Sequence, residues 1–505
     1  MRRRGLFGVL AVAVCAVALP VGASAGSFPI TVDTLSDTVA ADGHCSLREA
    51  IQNHNLKNNA NADCRKGNST DQIRFSVSGQ ITLAGSELPA VQGKLTIDGG
   101  GVITIDGNTL SRIIETTDGS TLTLQGLTLA HGSASGDGGA VLNADAKLTL
   151  DDVTISHNAA TGSGGGVYAP DGGLKIDGST FDHNTAANAA GLGGLNVVVT
   201  WSTFDANHAS VYGGGLYTFG LTMAHSTVSN NIADAGFGGL AVGGGQGTIQ
   251  RSTFESNSAP TGGGVVVQAG GGSKLILDGD SIVNNTASCN AAGFGTQTFA
   301  GDATVQILNS TISGNSITTG ACTSGGGGVL NLGPGTLTIA NSTISGNTSA
   351  NAYGDAVFNA GTLVFLNATV AENDPSGSGV GIYGDDSGLW GGTGATSFAN
   401  TIVSNNANGL NCGGTGTFTS QGHNLESDDA CYFGQPSDQV EIDPLLQPLG
   451  NYGGPTQTML PQLGSPAVDH GDDAVCKAKP IGGKDQRGFK RPKKHCDIGS
   501  VELIH

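Results

Sequence analysis

Ten asparagines recur through the middle of the chain, at Asn158, Asn184, Asn207, Asn231, Asn257, Asn285, Asn315, Asn347, Asn373 and Asn405, 23 to 32 residues apart. Three before each stands a large apolar residue: Ile155, Phe181, Phe204, Val228, Phe254, Ile282, Ile312, Ile344, Val370 and Ile402. Four before stands a Thr, or Ser281 in one repeat. Eight before runs a second apolar column, from Leu150 to Phe365, broken at Ser397. Such a unit is too small to bury its own apolar face, so burial must come from stacking on its neighbours. Segments such as Leu148-Thr149-Leu150 and Thr343-Ile344 have the two-residue period of strands, and no helical period lies between them. The predicted fold is therefore all-β, a parallel β-helix, with right-handed coils expected at this repeat length. At the ~4.8 Å spacing of paired strands, ten repeats make roughly 45 Å of solenoid.

Stacked amides donate and accept along a solenoid axis, so the asparagine column reads as structural, with Asn also suited to a left-handed turn. The 84 glycines fit turns and close backbone approach. Gly379-Val380-Gly381-Ile382-Tyr383-Gly384 has the spacing of a dinucleotide-binding loop, but no helical pattern follows it, and it reads as a coincidence of glycine-rich turns.

Arg2, Arg3 and Arg4, an apolar run from Leu6 to Val21, and Ala23-Ser24-Ala25 make residues 1–25 a secretory signal, with cleavage expected before Gly26. Val14 before Cys15 argues against a lipid anchor, and no later stretch is apolar enough to span a membrane. The expected location is secreted or at the cell surface. Eight cysteines then remain, an even number in an oxidising compartment. Sequence neighbours suggest Cys45–Cys64, Cys289–Cys322, Cys412–Cys431 and Cys476–Cys496; the second pair occupies one turn region on adjacent coils. No CxxC or HxxxH spacing supports zinc. The net charge is −19, and no Lys or Arg occurs from Leu275 to Val475. A nucleic-acid partner is excluded by the missing basic face, and a polyanionic glycan would be repelled unless calcium bridged it.

Three regions follow the signal. Residues 26–94 hold a capping-box pattern, Ser46-Leu47-Arg48-Glu49, for a short helix that plugs the open end of the solenoid. Residues 95–435 hold the coils. Residues 436–505 are rich in Pro, Lys and Arg, a loop-rich tail expected to fold over the last coil. Its basic stretch from Lys477 to Lys494 is expected to dock on the solenoid's acidic end; the alternative is that it faces outward, toward anionic envelope lipid or glycan. The segment Cys45-Ser46-Leu47-Arg48-Glu49-Ala50-Ile51 resembles the CSLREA N-terminal domain of bacterial surface proteins. The tail motifs Asp443-Pro444-Leu445-Leu446, Asn451-Tyr452-Gly453-Gly454-Pro455-Thr456, Gly464-Ser465-Pro466-Ala467-Val468-Asp469, Asp485-Gln486-Arg487-Gly488 and Cys496-Asp497-Ile498-Gly499 resemble the choice-of-anchor Q domain. Relatives of that kind often continue into a sorting tail; the sequence stops at His505, so the anchor is expected to be missing. The repeats resemble, more loosely, those of polymorphic outer-membrane proteins, which are similar to adhesins. None of these resemblances implies a catalytic residue.

The pectin-lyase-like β-helix also hosts lyases and glycosidases, so the fold alone leaves the activity open. Glycoside hydrolysis needs two carboxylates flanking the bond. The best-placed pair is Asp151 and Asp177, each seven before its repeat asparagine, with Asp152 and Lys175 beside them. His157 and His183, near Asp182 and Asp205, form a second stacked pair. These read as solvated outward positions, and no catalytic, cofactor-binding or metal-binding residue is assigned. The expectation is an exported, non-enzymatic, monomeric β-helical protein whose partner is a surface glycan or protein. The alternative is a polysaccharide-active enzyme.

Overall fold

A computed structural model describes residues 28–504 apart from 299, 300, 302, 320, 321, 323, 351, 352 and 375–378. The expected signal at 1–25 lies outside the described residues. The chain winds as a parallel β-helix. Each middle coil contributes a strand ending seven residues before the asparagine, such as Lys147–Asp151, and a three-residue strand such as Thr154–Ser156. A third strand, such as Val167–Ala169, follows the glycines. In three coils this last strand runs unbroken into the next, as Leu192–Thr200, Leu216–Ala224 and Leu240–Gln250. The rows thereby join into one 36-stranded sheet. A second sheet of nine short strands follows the asparagines. The parallel ladder begins well before residue 95: Ile30–Val32 pairs with Thr70–Phe75, which pairs with Lys94–Asp106.

The apolar columns become continuous interior stacks. Ile155 pairs with Phe181, and Phe181 with Phe204, whose rings stack at 4.5 Å between centroids. The helix Leu47–Leu56 forms with the expected capping box and buries Leu47, Ala50 and Ile51 in the same core. All four expected disulfides are present; Cys289 and Cys322 join adjacent coils at 5.7 Å between Cα atoms.

Two details of the repeat differ from the sequence reading. The ladder passes through Asn406, not Asn405: Asn373 Nδ2 donates to Asn406 Oδ1 at 2.8 Å and Asn406 Nδ2 to Asn411 Oδ1 at 3.0 Å, while Asn405 is exposed. The final coil is thus shifted by one, Val370 facing Val403 and Phe365 facing Phe398, so the apolar column is unbroken and Ser397 points outward. Nor do the ladder asparagines from Asn158 to Asn373 take the left-handed turn. The residue before each does, as at His157 (φ 56°), His183 (52°), Ala206 (52°) and Glu372 (58°). The glycine pairs have a matching cause. A Cβ at Gly239 would stand 2.9 Å from Cγ of Asn257, so the bare backbone lets the amide column sit against the next turn.

The tail covers the last coil at its start, where Gln439 bridges Leu425 and its carbonyl accepts from Glu426 N at 2.9 Å, but it does not stay there. It runs back along the solenoid's flank as far as Gly279, over the threonine column. Gln486 is its buried hub. Its Nε2 donates to Ser310 O at 3.2 Å and Thr311 Oγ1 at 3.0 Å, and its Oε1 accepts from Thr343 Oγ1 at 2.6 Å. Ile402 packs under the tail with Ala467 and Ile498. The cations split: Arg487 pairs with Asp485 and Arg491 with Glu502, both within the tail, whereas Lys477, Lys479, Lys484, Lys490, Lys493 and Lys494 are exposed. Hydroxyls, amides and apolar contact hold the tail down, in place of the expected docking of positive charge on an acidic end.

Candidate functional site

The outward carboxylates sit where strand register puts them. Asp151 and Asp177 are direct partners on adjacent strands, followed on the next by Thr200, whose hydroxyl donates to Asp177 Oδ1 at 2.6 Å. Lys175 is exposed on the same strand face, and Asp152 occupies the turn beyond Asp151 at φ 54°. The histidines stack as expected: the rings of His157 and His183 are 5.1 Å apart and parallel within 3°, with His131 tilted against His157 at 5.8 Å. His183 Nδ1 lies 2.6 Å from Asp182 Oδ1. Asp205 accepts from Ser229 Oγ at 2.6 Å and Asn230 Nδ2 at 2.8 Å. The carboxylate and histidine pairs lie at opposite ends of the strand Thr154–Ser156 and do not converge. Each is a row along the solenoid, one group per coil.

A cleft of about 660 Å³ opens between the solenoid flank and a tail strap, a feature the repeat pattern did not signal. Thr253, Ser281, Asn284, Thr311, Ser313 and Ser345 line one side; Asn451, Thr456 and Gln457 line the other. Glu372 is the single charged residue of this lining. The signal for one wall was present, since the outward Thr and Ser recur four before each asparagine. The other wall comes from the tail, which no repeat rule places. Beyond Pro455 a second cleft, about 650 Å³, mixes Arg251 and Lys484 with Asp278 and Asp485.

A second polar ladder lies inside, five before each asparagine from Asn184 to Asn347. Ser179, Ser202, Ser226 and Ser252 each present a hydroxyl to the preceding coil's backbone N–H. Asp280 takes the serine's place: its Oδ1 accepts from Ser252 N at 2.7 Å, while its Oδ2 has no partner. Burial pushes this carboxyl up to about 8. Burial likewise raises Asp355 to about 7, and Glu426 to about 8 with help from Asp428 beside it. None of the three lines either large cleft. Among the described residues no group of three or more His, Cys, Asp or Glu is placed to hold a metal, and no helix is long and apolar enough to cross a membrane.

The stacked rows, the interior asparagine ladder and the flank-bound tail together define a parallel β-helical solenoid. The chain belongs to the family described as the right handed beta helix region, which matches residues 39–245 and 138–307, together more than half of its length. No curated protein matches it. Among solved structures, the crystal structure of pectate lyase Pel9A is similar over 95% of this chain and 98% of that one, at 15% sequence identity and a TM-score of 0.33. That likeness is too low to transfer any residue's role.

Proposed function

We propose that this is an exported, non-enzymatic β-helical protein, secreted or held at the cell surface, that recognises a glycan or a protein partner. The observation that carries the reading is the chemistry of the strap cleft. Its hydroxyls and amides suit hydrogen bonding to a polyhydroxylated ligand, but one carboxylate, Glu372, provides no acid–base pair. Four disulfides fit an oxidising compartment, in keeping with a signal at 1–25. The CSLREA and choice-of-anchor Q resemblances point the same way, with 26–94 as the cap, 95–435 as the coils and 436–505 as the tail domain. One observation favours the rival reading, a polysaccharide-active enzyme: Asp151 and Asp177 are adjacent in register.

The two readings separate in a depolymerisation screen across plant, algal and bacterial polysaccharides. The expected outcome is no new reducing ends and no unsaturated uronate from the wild-type protein. Cleavage that Asp177→Ala abolishes would overturn the reading, because losing one carboxylate of a catalytic pair costs orders of magnitude in rate.

A further inference from the structure

The chain is poor in aromatics, yet five of its seven tyrosines share one side of the solenoid: Tyr168, Tyr212, Tyr217, Tyr353 and Tyr383. Tyr168, Tyr217 and Tyr383 stand on the outward side of the strands that follow the glycines, and Tyr212 and Tyr353 just before those glycines. Register makes the row: Tyr168 faces Gly193 on the next coil, and Gly193 faces Tyr217 on the one after.

Several rings lie over a glycine of the following coil. A Cβ at Gly193 would stand 3.0 Å from Tyr168 Cδ2, one at Gly236 would stand 1.9 Å from Tyr212 Cδ1, and one at Gly243 2.5 Å from Phe219 Cε1. Any side chain at these glycines would push the ring aside. With backbone beneath them the rings keep part of their surface in solvent: Tyr212 and Phe219 are 43% and 52% exposed, and Tyr168 and Tyr217 are half-buried. Between Tyr168 and Tyr217 lies a depression of about 350 Å³, floored by Gly193 and Gly194 and edged by Ser163 and Asn188.

We infer that this face is a stacking site for an uncharged oligosaccharide; the inference rests on the recognition reading above and adds a second, separate binding place to the strap cleft. The C–H face of a pyranose packs on the electron-rich face of an aromatic ring, and the ring hydroxyls reach polar groups at the edge, here Ser163 and Asn188. Tyr168 and Tyr217 are two coils apart, roughly 9.6 Å at the strand spacing, close to the length of two pyranose units in an extended β-linked chain. Charge selects against acidic glycans. Asp137 and Asp171 lie near enough to Tyr168 to add to the effect of its burial in raising the phenol, and no Lys or Arg lines the depression. A glycan carrying uronates would meet carboxylates without a counter-charge.

Binding to arrayed neutral and acidic oligosaccharides, with affinities then measured in solution, tests this. The proteins are wild type, Tyr217→Ala, Gly193→Val and, as an exposed ring at another corner, Trp201→Ala. Gly193→Val fills the depression and displaces the Tyr168 ring without deleting it, at a strand position with no need of positive φ. Neutral oligosaccharides should bind, with at least tenfold loss in both Tyr217→Ala and Gly193→Val, little change in Trp201→Ala, and little dependence on salt. Preference for uronates, binding untouched by the first two variants, no glycan bound at all, or a Tyr217-dependent self-association in place of glycan binding would each overturn the site. If the wild-type protein cleaves a bound glycan while binding still depends on Tyr217, the non-enzymatic reading fails and this site stands.

Discussion

Each asparagine of the ladder from Asn158 to Asn373 is held by its neighbours on both sides. Asn257 Nδ2 donates to Val228 O at 2.9 Å and to Asn285 Oδ1 at 3.0 Å, and its Oδ1 accepts from the backbone and side-chain nitrogens of Asn231, both at 3.0 Å. Asn257→Ala strands donors of Asn231 in a site closed to water, and should cost ~1–3 kcal/mol. A urea denaturation midpoint indistinguishable from wild type would contradict the ladder. Asp280 has the opposite character, a carboxyl where the column wants a hydroxyl. Its folded pKa of about 8 lies above the unfolded value of 3.8, so the folded state holds the proton longer and stability falls as pH rises between those limits. Asp280→Ser should flatten this slope and be more stable than wild type at pH 8, with the advantage shrinking toward pH 4. Denaturation midpoints of the two proteins at both pH values check it; a difference independent of pH would show that Asp280 is not the titrating group. The column five before each asparagine was readable in the sequence, but Thr and apolar columns beside it drew the eye, and a lone Asp in it reads as surface.

Strands and coils were largely legible from spacing, because register in a solenoid repeats with every turn and one slip would expose a whole column. The exception proves informative. The last coil was read one residue out of phase because Thr401 and Asn405 imitate the repeat. In the structure Ile402 takes the threonine's place, since here the outward face is roofed by Ala467 and Ile498 and an apolar residue belongs. The tail's path was not legible, because its contacts join residues up to 176 positions apart with no period to reveal them. Yet its motif residues have clear duties: Gln486 bridges the Thr311 and Thr343 coils, and Ser500 Oγ donates to Thr369 Oγ1 at 3.0 Å. Since no ion pair was found between tail and solenoid among the described residues, the tail should stay docked at high salt. Hydrogen exchange at the amides of Gly499 and Ser500, which bond Asn400 O and Thr369 Oγ1 on the solenoid, should be as slow in 1 M salt as in 0.1 M, although screening falls from ~10 Å to ~3 Å. Release of those amides by salt would restore the electrostatic docking.

A solenoid of this kind is a ruler, repeating any outward group at the coil spacing. Carboxylates, histidines, hydroxyls and aromatic rings each occupy their own row here, and rows suit repeating ligands better than they suit a reaction at one bond. The candidate site was accordingly half legible: Asp151, Asp177, His157 and His183 landed where the repeat placed them, while the strap cleft needed the tail. The most direct measurement follows both partners at once. The protein is incubated with each polysaccharide it retains in co-sedimentation, and the polymer's size distribution is read before and after. Retention with an unchanged size distribution is the expected result, for wild type and Asp151→Ala/Asp177→Ala alike; a shortened polymer in the wild type and an intact one in the double variant would contradict the account.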